Sequence, residues 1–124
     1  MTVLIDSWTW IEYFKGSPYG KRGAPYVEGH EEIIVSTMNV AEVYHFLLKE
    51  ARDDPDGHID FMLKRSFVIP LTPEIALLSA RNKFTHKMGM ADAIVLATAT
   101  THGATVVTGD DDFKNHRGVT YIGP

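Results

Sequence analysis

The sequence predicts an α/β sandwich, a parallel β-sheet with helices on both of its faces. Three observations carry this reading. Short β-rich runs alternate along the chain with longer stretches of helical periodicity, which is the mark of successive βαβ units. The first four runs are nearly continuous in apolar residues, as strands buried on both faces of a parallel sheet are. The chain has 124 residues and no linker or repeat that would divide it, so sheet and helices share one domain spanning 1–124.

Val3-Leu4-Ile5 makes the first strand, and a helix over 7–15 follows it. Trp8, Trp10, Ile11, Tyr13 and Phe14 of that helix cannot all face one sheet. Its second face is therefore covered either by the Gly/Pro-rich segment 16–29, which reads as a mobile loop, or by a partner. Ile33-Ile34-Val35 is the second strand. The helix over 37–51 puts Val40, Val43, Tyr44, Leu47, Leu48 and Ala51 on one core stripe, with Glu42, His45 and Lys49 on another side. Asp53-Asp54-Pro55-Asp56-Gly57 is a turn into a helix near 57–66, and Phe67-Val68-Ile69 is the third strand. Thr72-Pro73-Glu74 starts a helix over 73–87: a capping hydroxyl, a proline at the first position, and an acid at the positive end of the dipole. A helix over 91–102 stops at His102-Gly103. Thr105-Val106-Val107 and Val119-Thr120-Tyr121-Ile122 are the last two strands.

Composition removes several classes of function. Apolar residues make up 44% and charged ones 23%, as in ordinary soluble proteins. With no cysteine there can be no disulfide scaffold, thiolate zinc site or cysteine nucleophile. Asp and Glu number 16 against 12 Lys and Arg, for a net charge of -4, which argues against a nucleic-acid binder held by bulk charge alone. No apolar run is long enough to span a bilayer and no signal peptide is evident, so the expectation is a cytoplasmic protein with no membrane partner.

The informative acids are four, and their positions matter more than their number. Asp6 directly follows the first strand, and Asp110 follows the fourth through Thr108-Gly109. Glu42 lies in the early turns of the helix after the second strand, and Asp92 begins the helix that feeds the fourth. In an open α/β sheet, strand C-termini and the N-termini of the helices after them share one edge, where ligands bind, which brings Asp6, Glu42 and Asp110 together. The geometric case is weaker for Asp92, because two helices separate the third and fourth strands. Each acid alone also reads as a cap, a turn residue or a solvated charge. Together, four acids in one crevice repel one another and resist full ionisation unless a divalent cation is present. An all-oxygen donor set selects Mg²⁺ or Mn²⁺, and phosphodiester hydrolysis is the reaction class it suits best.

At these residues the sequence resembles the PIN-domain nucleases, above all the small single-domain VapC-type ribonucleases of toxin–antitoxin pairs. The resemblance runs over nearly the whole chain, through Val3-Leu4-Ile5-Asp6-Ser7 and Val35-Ser36-Thr37-Met38-Asn39-Val40-Ala41-Glu42-Val43. It is strongest over 89–99, where Asp92-Ala93 begins a helix, and over Val106-Val107-Thr108-Gly109-Asp110-Asp111-Asp112-Phe113. It implies a three-layer α/β/α sandwich with a five-stranded parallel sheet. Asp6, Glu42, Asp92 and Asp110 would be the catalytic, metal-binding acids and Asp112 an auxiliary metal ligand, with Ser7 and Thr108 as hydroxyls that orient carboxylates or water. The implied activity is endonucleolytic RNA cleavage dependent on Mg²⁺ or Mn²⁺, by metal-activated water. The implied partners are an antitoxin, whose C-terminal segment lies across the active-site groove, and a second copy of the chain in a homodimer.

RNA also needs positive charge. Lys15, Lys21 and Arg22 flank a segment in which Tyr19 and Tyr26 offer stacking surfaces. Arg81, Lys83, His86 and Lys87 precede Asp92, and Lys114, His116 and Arg117 follow Asp110. The six histidines show no zinc-type spacing. Asp110-x-Asp112 is similar to the D-x-D of haloacid-dehalogenase-type phosphatases. That motif needs Thr or Val two places after its second Asp and a long chain beyond, whereas 12 residues remain here. An EF-hand starting at Asp110 needs glycine where Asn115 stands and an acid where Tyr121 stands. A receiver domain needs paired acids at the first strand and a lysine after the last. The alternatives left are a PIN nuclease of RNA maturation or decay, and a PIN-like module that only binds RNA or a protein.

Overall fold

Five short strands set the frame: β1 (Thr2–Ile5), β2 (Glu32–Ser36), β3 (Phe67–Ile69), β4 (Thr105–Thr108) and β5 (Val119–Tyr121). The structure, a computed structural model, describes residues 1–124. All pairings are parallel, in the order β3-β2-β1-β4-β5. Leu4 pairs with Ile34 on one side and Val106 on the other, so β1 is the centre of the sheet. From β1 the chain builds outward first to β2 and β3, then returns to build β4 and β5 on the opposite side. Strand order therefore reverses between β1 and β4, and the crevice at their C-terminal ends is where such a sheet receives ligands.

Alternation along each strand divides the core in two. Val3 and Ile5 point to the face covered by α1 (Ser7–Lys15), α2 (Pro18–Glu28), α3 (Thr37–Lys49) and α4 (Pro55–Arg65), whose cluster includes Trp10, Val27, Val43, Leu47 and Met62. Leu4 points to the other face, under α6 (Met90–Thr101) and a 3-10 turn at Asp111–Phe113, with α5 (Pro73–His86) packed on α6. This is the expected three-layer α/β/α sandwich. No helix is long and apolar enough to cross a membrane.

Four local expectations need correction. Segment 16–29 is a helix rather than a mobile loop. The Ser17 side chain accepts the N–H of Gly20, and Pro18 stands at the start, where its missing N–H costs nothing. Gly20 and Gly23 are buried against α1, where a Cβ on either would collide with the Glu12 backbone or the Thr9 methyl group. Glycines that suggested a loop are thus what lets α2 lie close against α1. The two aromatic faces of α1 are consequently both met within the chain. Trp8 packs edge-on against Tyr19 of α2 at 5.7 Å, while Trp10, Tyr13 and Phe14 meet Phe61 of α4.

The second correction concerns β3, which is not buried on both faces. It is an edge strand with a neighbour on one side only, and Phe67 is 63% exposed. The third concerns the stripe on the helix over 37–51. Val43 and Leu47 are buried, but Leu48 is half exposed and Ala51 lies beyond the helix end with a positive φ of 49°. Phe46 packs against the core instead. Fourth, the following helix starts at Pro55, where the Asp54 side chain accepts the N–H of Gly57, so the turn is shorter than expected. The capping expectations at Thr72 and at His102-Gly103 hold, with Thr72 accepting the N–H of Ile75.

Candidate metal centre

The crevice between β1 and β4 is built from residues that end strands and begin helices. Asp6 stands between β1 and α1, and its carbonyl oxygen accepts the N–H groups of Thr9 and Trp10. The main chain does the capping, which leaves the carboxylate free to face the crevice. Thr108, the last residue of β4, donates its hydroxyl to Asp6 Oδ2 at 2.8 Å, and Asn39 Nδ2 donates to Oδ1 at 3.3 Å. The same Thr108 oxygen accepts the N–H of Asp110 at 3.0 Å. One hydroxyl thus ties the acid after β1 to the acid after β4.

Asn39 is the residue that sequence reasoning left without a role. It is fully buried in the first turn of α3. Its Oδ1 accepts the Ser36 N–H at 2.9 Å, while Met38 N–H donates to the Ser36 hydroxyl, so a reciprocal cap starts the helix. With its oxygen so engaged, the Asn39 amide must direct its two N–H donors inward. They reach Asp6 and, at 2.9 Å, the Ser7 oxygen. Ser7 in turn donates to Glu42 Oε1 at 2.8 Å. The spacing Ser36-x-x-Asn39 was the available signal, because a capping pair at a strand C-terminus places the asparagine amide at the crevice.

The remaining acids come from the other side of the sheet. Asp92 lies in the first turn of α6, and Asp110 and Asp112 bracket the start of the 3-10 turn, where Asp112 N–H donates to Asp110 Oδ1 at 3.0 Å. Carboxylate oxygens of Asp92, Asp110 and Asp112 all lie within 4.8 Å of one another. Asp112 is therefore a full member of the cluster and not a bystander. Burial pushes the Asp92 carboxyl up to about 7, and the negative charges of Asp110, Asp6 and Asp112 add to the effect. Asp6 rises to about 6, again chiefly through burial, opposed by its hydrogen bonds from Thr108 and Ser7 and reinforced by the charges of Glu42 and Asp110.

No lysine or arginine pairs with any of these acids; the chain's two ion pairs are Lys15–Glu12 and Lys64–Asp60. The donor set consists wholly of oxygen, carries several negative charges, and has no internal counter-charge. Such a donor set could hold a hard divalent cation.

The PIN domain family model matches residues 3–119. The chain belongs to the PIN domain family. In sequence, no curated protein is significantly similar to it. In structure it is similar to a toxin–antitoxin complex from Klebsiella pneumoniae, at 24% identity over 97% of both chains with a TM-score of 0.83. It is also similar to VapBC2 from Rickettsia felis bound to a promoter DNA fragment (16% identity, 98% and 97% of the two chains, TM-score 0.75). A third likeness is to VapC20 from Mycobacterium tuberculosis, a toxin that cleaves the Sarcin-Ricin loop (15% identity, 90% and 92%, TM-score 0.73). At these identities the likeness speaks for a shared fold.

Around this PIN-domain crevice the basic residues divide. Lys15 is occupied by Glu12 at 3.1 Å. Arg22 donates to the carbonyls of Ile122 and Gly123 at 3.1 Å and lies over the Tyr19 ring, so it fastens the C-terminus to α2. Lys21, Arg81 and Lys87 are exposed. Lys114, His116 and Arg117, by contrast, meet His86 in one cleft along α6, the helix that begins at the acid cluster. Trp8, Tyr19 and Tyr121 line a second hollow, which also contains Asp110 and Asp111. Tyr26, the other stacking candidate, lies against the core near α1.

Proposed function

We propose that the protein is a divalent-metal-dependent endoribonuclease that hydrolyses RNA phosphodiester bonds, and that it acts as the toxin of a VapBC-type toxin–antitoxin pair. The observation that carries this reading is the uncompensated carboxylate cluster of Asp92, Asp110 and Asp112 beside Asp6, in a PIN-family chain. Asp6, Asp92, Asp110 and Asp112 would hold Mg²⁺ or Mn²⁺, with Glu42 at the rim. The cation, when bound, supplies charge neutralisation for the phosphodiester and lowers the pKa of water. Asp6 is aligned for this by Thr108 and Asn39, and Glu42 by Ser7.

Two partners belong to the same reading. Beyond the C-terminal segment expected across the active-site crevice, an antitoxin would find apolar surface in the groove of about 540 Å³ that remains open between α1 and α4, lined in part by Tyr13, Phe14, His58 and Phe61. A homodimer is supported by α5, whose outward face shows Leu77 at 62% and Phe84 at 87% exposure. The expected behaviour of Phe84→Asp is a monomer by light scattering where the parent chain is a dimer.

The direct test is cleavage of single-stranded RNA with EDTA, Mg²⁺ or Mn²⁺. Cleavage is expected only with metal and not from Asp6→Asn or Asp92→Asn. Cleavage that persists in EDTA or in both variants contradicts the reading. A role in RNA maturation or decay is the second reading. Growth arrest on expression, relieved by the product of an adjacent short reading frame, decides for the toxin; processing without arrest decides for maturation.

A further inference from the structure

We propose that the cleft between α5, α6 and the segment 114–117 is a phosphodiester-binding subsite that grips the RNA backbone next to the acid cluster. The proposal rests on the ribonuclease reading above and concerns residues outside the carboxylate cluster. The cleft has a volume of about 550 Å³. Its walls carry Asn82 and His86 from α5 and Lys114, Asn115, His116 and Arg117 from the segment after the 3-10 turn. No carboxylate lines it, although acids outnumber bases in the chain. In a protein with net charge -4, an acid-free hollow lined by two cations and two histidines is a local reversal of sign.

The fold assembles this hollow from distant segments. Asn82 and His86 lie one turn apart on the inward face of α5, opposite the exposed Leu77 and Phe84. Phe113 is completely buried, and its carbonyl accepts the His116 N–H at 3.1 Å, which anchors the segment that follows. The His86 and His116 rings consequently meet edge to face, with centroids 5.1 Å apart. Every polar group named here is a donor to phosphate oxygens: guanidinium, ammonium, amide N–H₂ and imidazole N–H.

The cleft is also placed for the same strand. Its floor is Leu96 and Thr100, four and eight residues beyond Asp92 on α6. Those spacings are about 6 and 12 Å along a helix axis. Lys114 follows Asp112 by two residues, and its ammonium lies 5.5 Å from the ring centroid of Tyr121, which shares a hollow with Asp110. A strand whose scissile phosphodiester lies at the acid cluster therefore brings a neighbouring phosphate to the cleft. Contacts of this type fix register and orientation without reading base identity. The acid cluster, which would repel the strand in the absence of cation, thus has an adjoining electropositive hold.

The test uses the full chain carrying Asp92→Asn, so that RNA is not consumed, and measures its binding to a fluorescein-labelled single-stranded RNA by anisotropy. Adding Arg117→Ala, or His86→Ala with His116→Ala, is expected to weaken binding at least about tenfold, with melting temperature essentially retained. Loss of one phosphate contact should also make the slope of log K against log salt less negative by about 0.7. Lys64→Ala, which removes a cation paired with Asp60 on the far side of the sheet, should change neither value. A free phosphate source is distinguished by following the His86 and His116 imidazole resonances with inorganic phosphate or with RNA. Shifts with RNA at concentrations where inorganic phosphate has no effect support the backbone subsite. RNA affinity and salt slope unchanged in the cleft variants overturn it, while metal-dependent cleavage by the parent chain would leave the nuclease reading intact. Resonances that move with inorganic phosphate, in a chain that neither binds nor cleaves RNA, overturn both the subsite and the nuclease reading.

Discussion

The two halves of the acidic crevice are held in opposite ways. On the side of β1 and α3, Asp6 and Glu42 are wired by neutral donors: Thr108 and Asn39, each fixed in turn by a backbone N–H, and Ser7, held by the Asn39 amide. On the side of α6 and the 3-10 turn, Asp92, Asp110 and Asp112 crowd within 4.8 Å, and no cation of the chain offsets them. The difference follows from burial. Asp6 is only 5% exposed, and a carboxylate removed from water needs hydrogen bonds to stay in place. Asp92 is partly open, so repulsion there can persist until a mobile ion relieves it. One half pre-aligns a ligand and the other stores the electrostatic demand for one.

Breaking the crowded half should have the largest effect. Asp92→Asn leaves shape and volume nearly unchanged but removes a charge from the cluster. RNA cleavage is expected to fall by more than the roughly 10–100-fold typical of residues that only orient a ligand. The variant should also melt higher than the parent without metal, because repulsion is relieved. A steady-state cleavage assay together with calorimetric melting reads both effects.

Breaking the wired half should cost less activity and more stability. Asn39→Ala deletes the donors to Asp6 and Ser7 and undoes the cap on Ser36. Metal affinity or activity should drop about 10–100-fold. Stability should fall by about 1–3 kcal/mol, because buried partners lose their hydrogen bonds. Urea unfolding checks the second figure and metal titration the first. If stability falls while metal affinity stays at the parent value, the amide serves the helix alone.

The effect on pH dependence leaves the residues unchanged and shifts only their protonation. Folded and free of metal, Asp6 and Asp92 titrate near 6 and 7, against an ordinary value of 3.8. Between about pH 4 and 7 the folded chain therefore holds protons that the unfolded chain has released. Their contribution to stability declines as pH rises through that window. Bound cation removes the cause by favouring the ionised forms. The rise in melting temperature on adding millimolar Mg²⁺ should be larger at pH 8 than at pH 5.5. Equal shifts at the two values would show that these carboxyls are not coupled to the ion.

Much of this was legible in residue order, for identifiable reasons. Asp6 and Asp110 could be placed because apolar runs mark strand ends, and the sheet rule brings such ends to one edge. Thr72-Pro73-Glu74 could be read because capping is a local interaction. Asp112 was legible only as an auxiliary acid, since its approach to Asp92 depends on how the 3-10 turn meets α6. The misreadings were tertiary. Gly20 and Gly23 carry a loop composition, yet their lack of side chains serves helix packing. Gly20→Ala should accordingly destabilise the fold by about 1–3 kcal/mol through the collision with α1. Phe67 is apolar at a sheet edge, where no local pattern tells edge from centre. For Asn39 the capping spacing from Ser36 was a local signal, but its reach to Asp6 and Ser7 depends on how α3 meets β1.

The central claim is that the crowded carboxylates await a divalent cation, and Mn²⁺ titration calorimetry at pH 6.5 in buffers of differing ionisation enthalpy tests it most directly. Burial and mutual repulsion raise both Asp6 and Asp92 toward that pH, so their carboxyls hold protons that a bound ion would displace. The account predicts binding to the parent chain with release of about one proton per ion, and loss of that binding in Asp92→Asn. No heat of binding, or equal binding without proton release in both proteins, would contradict it.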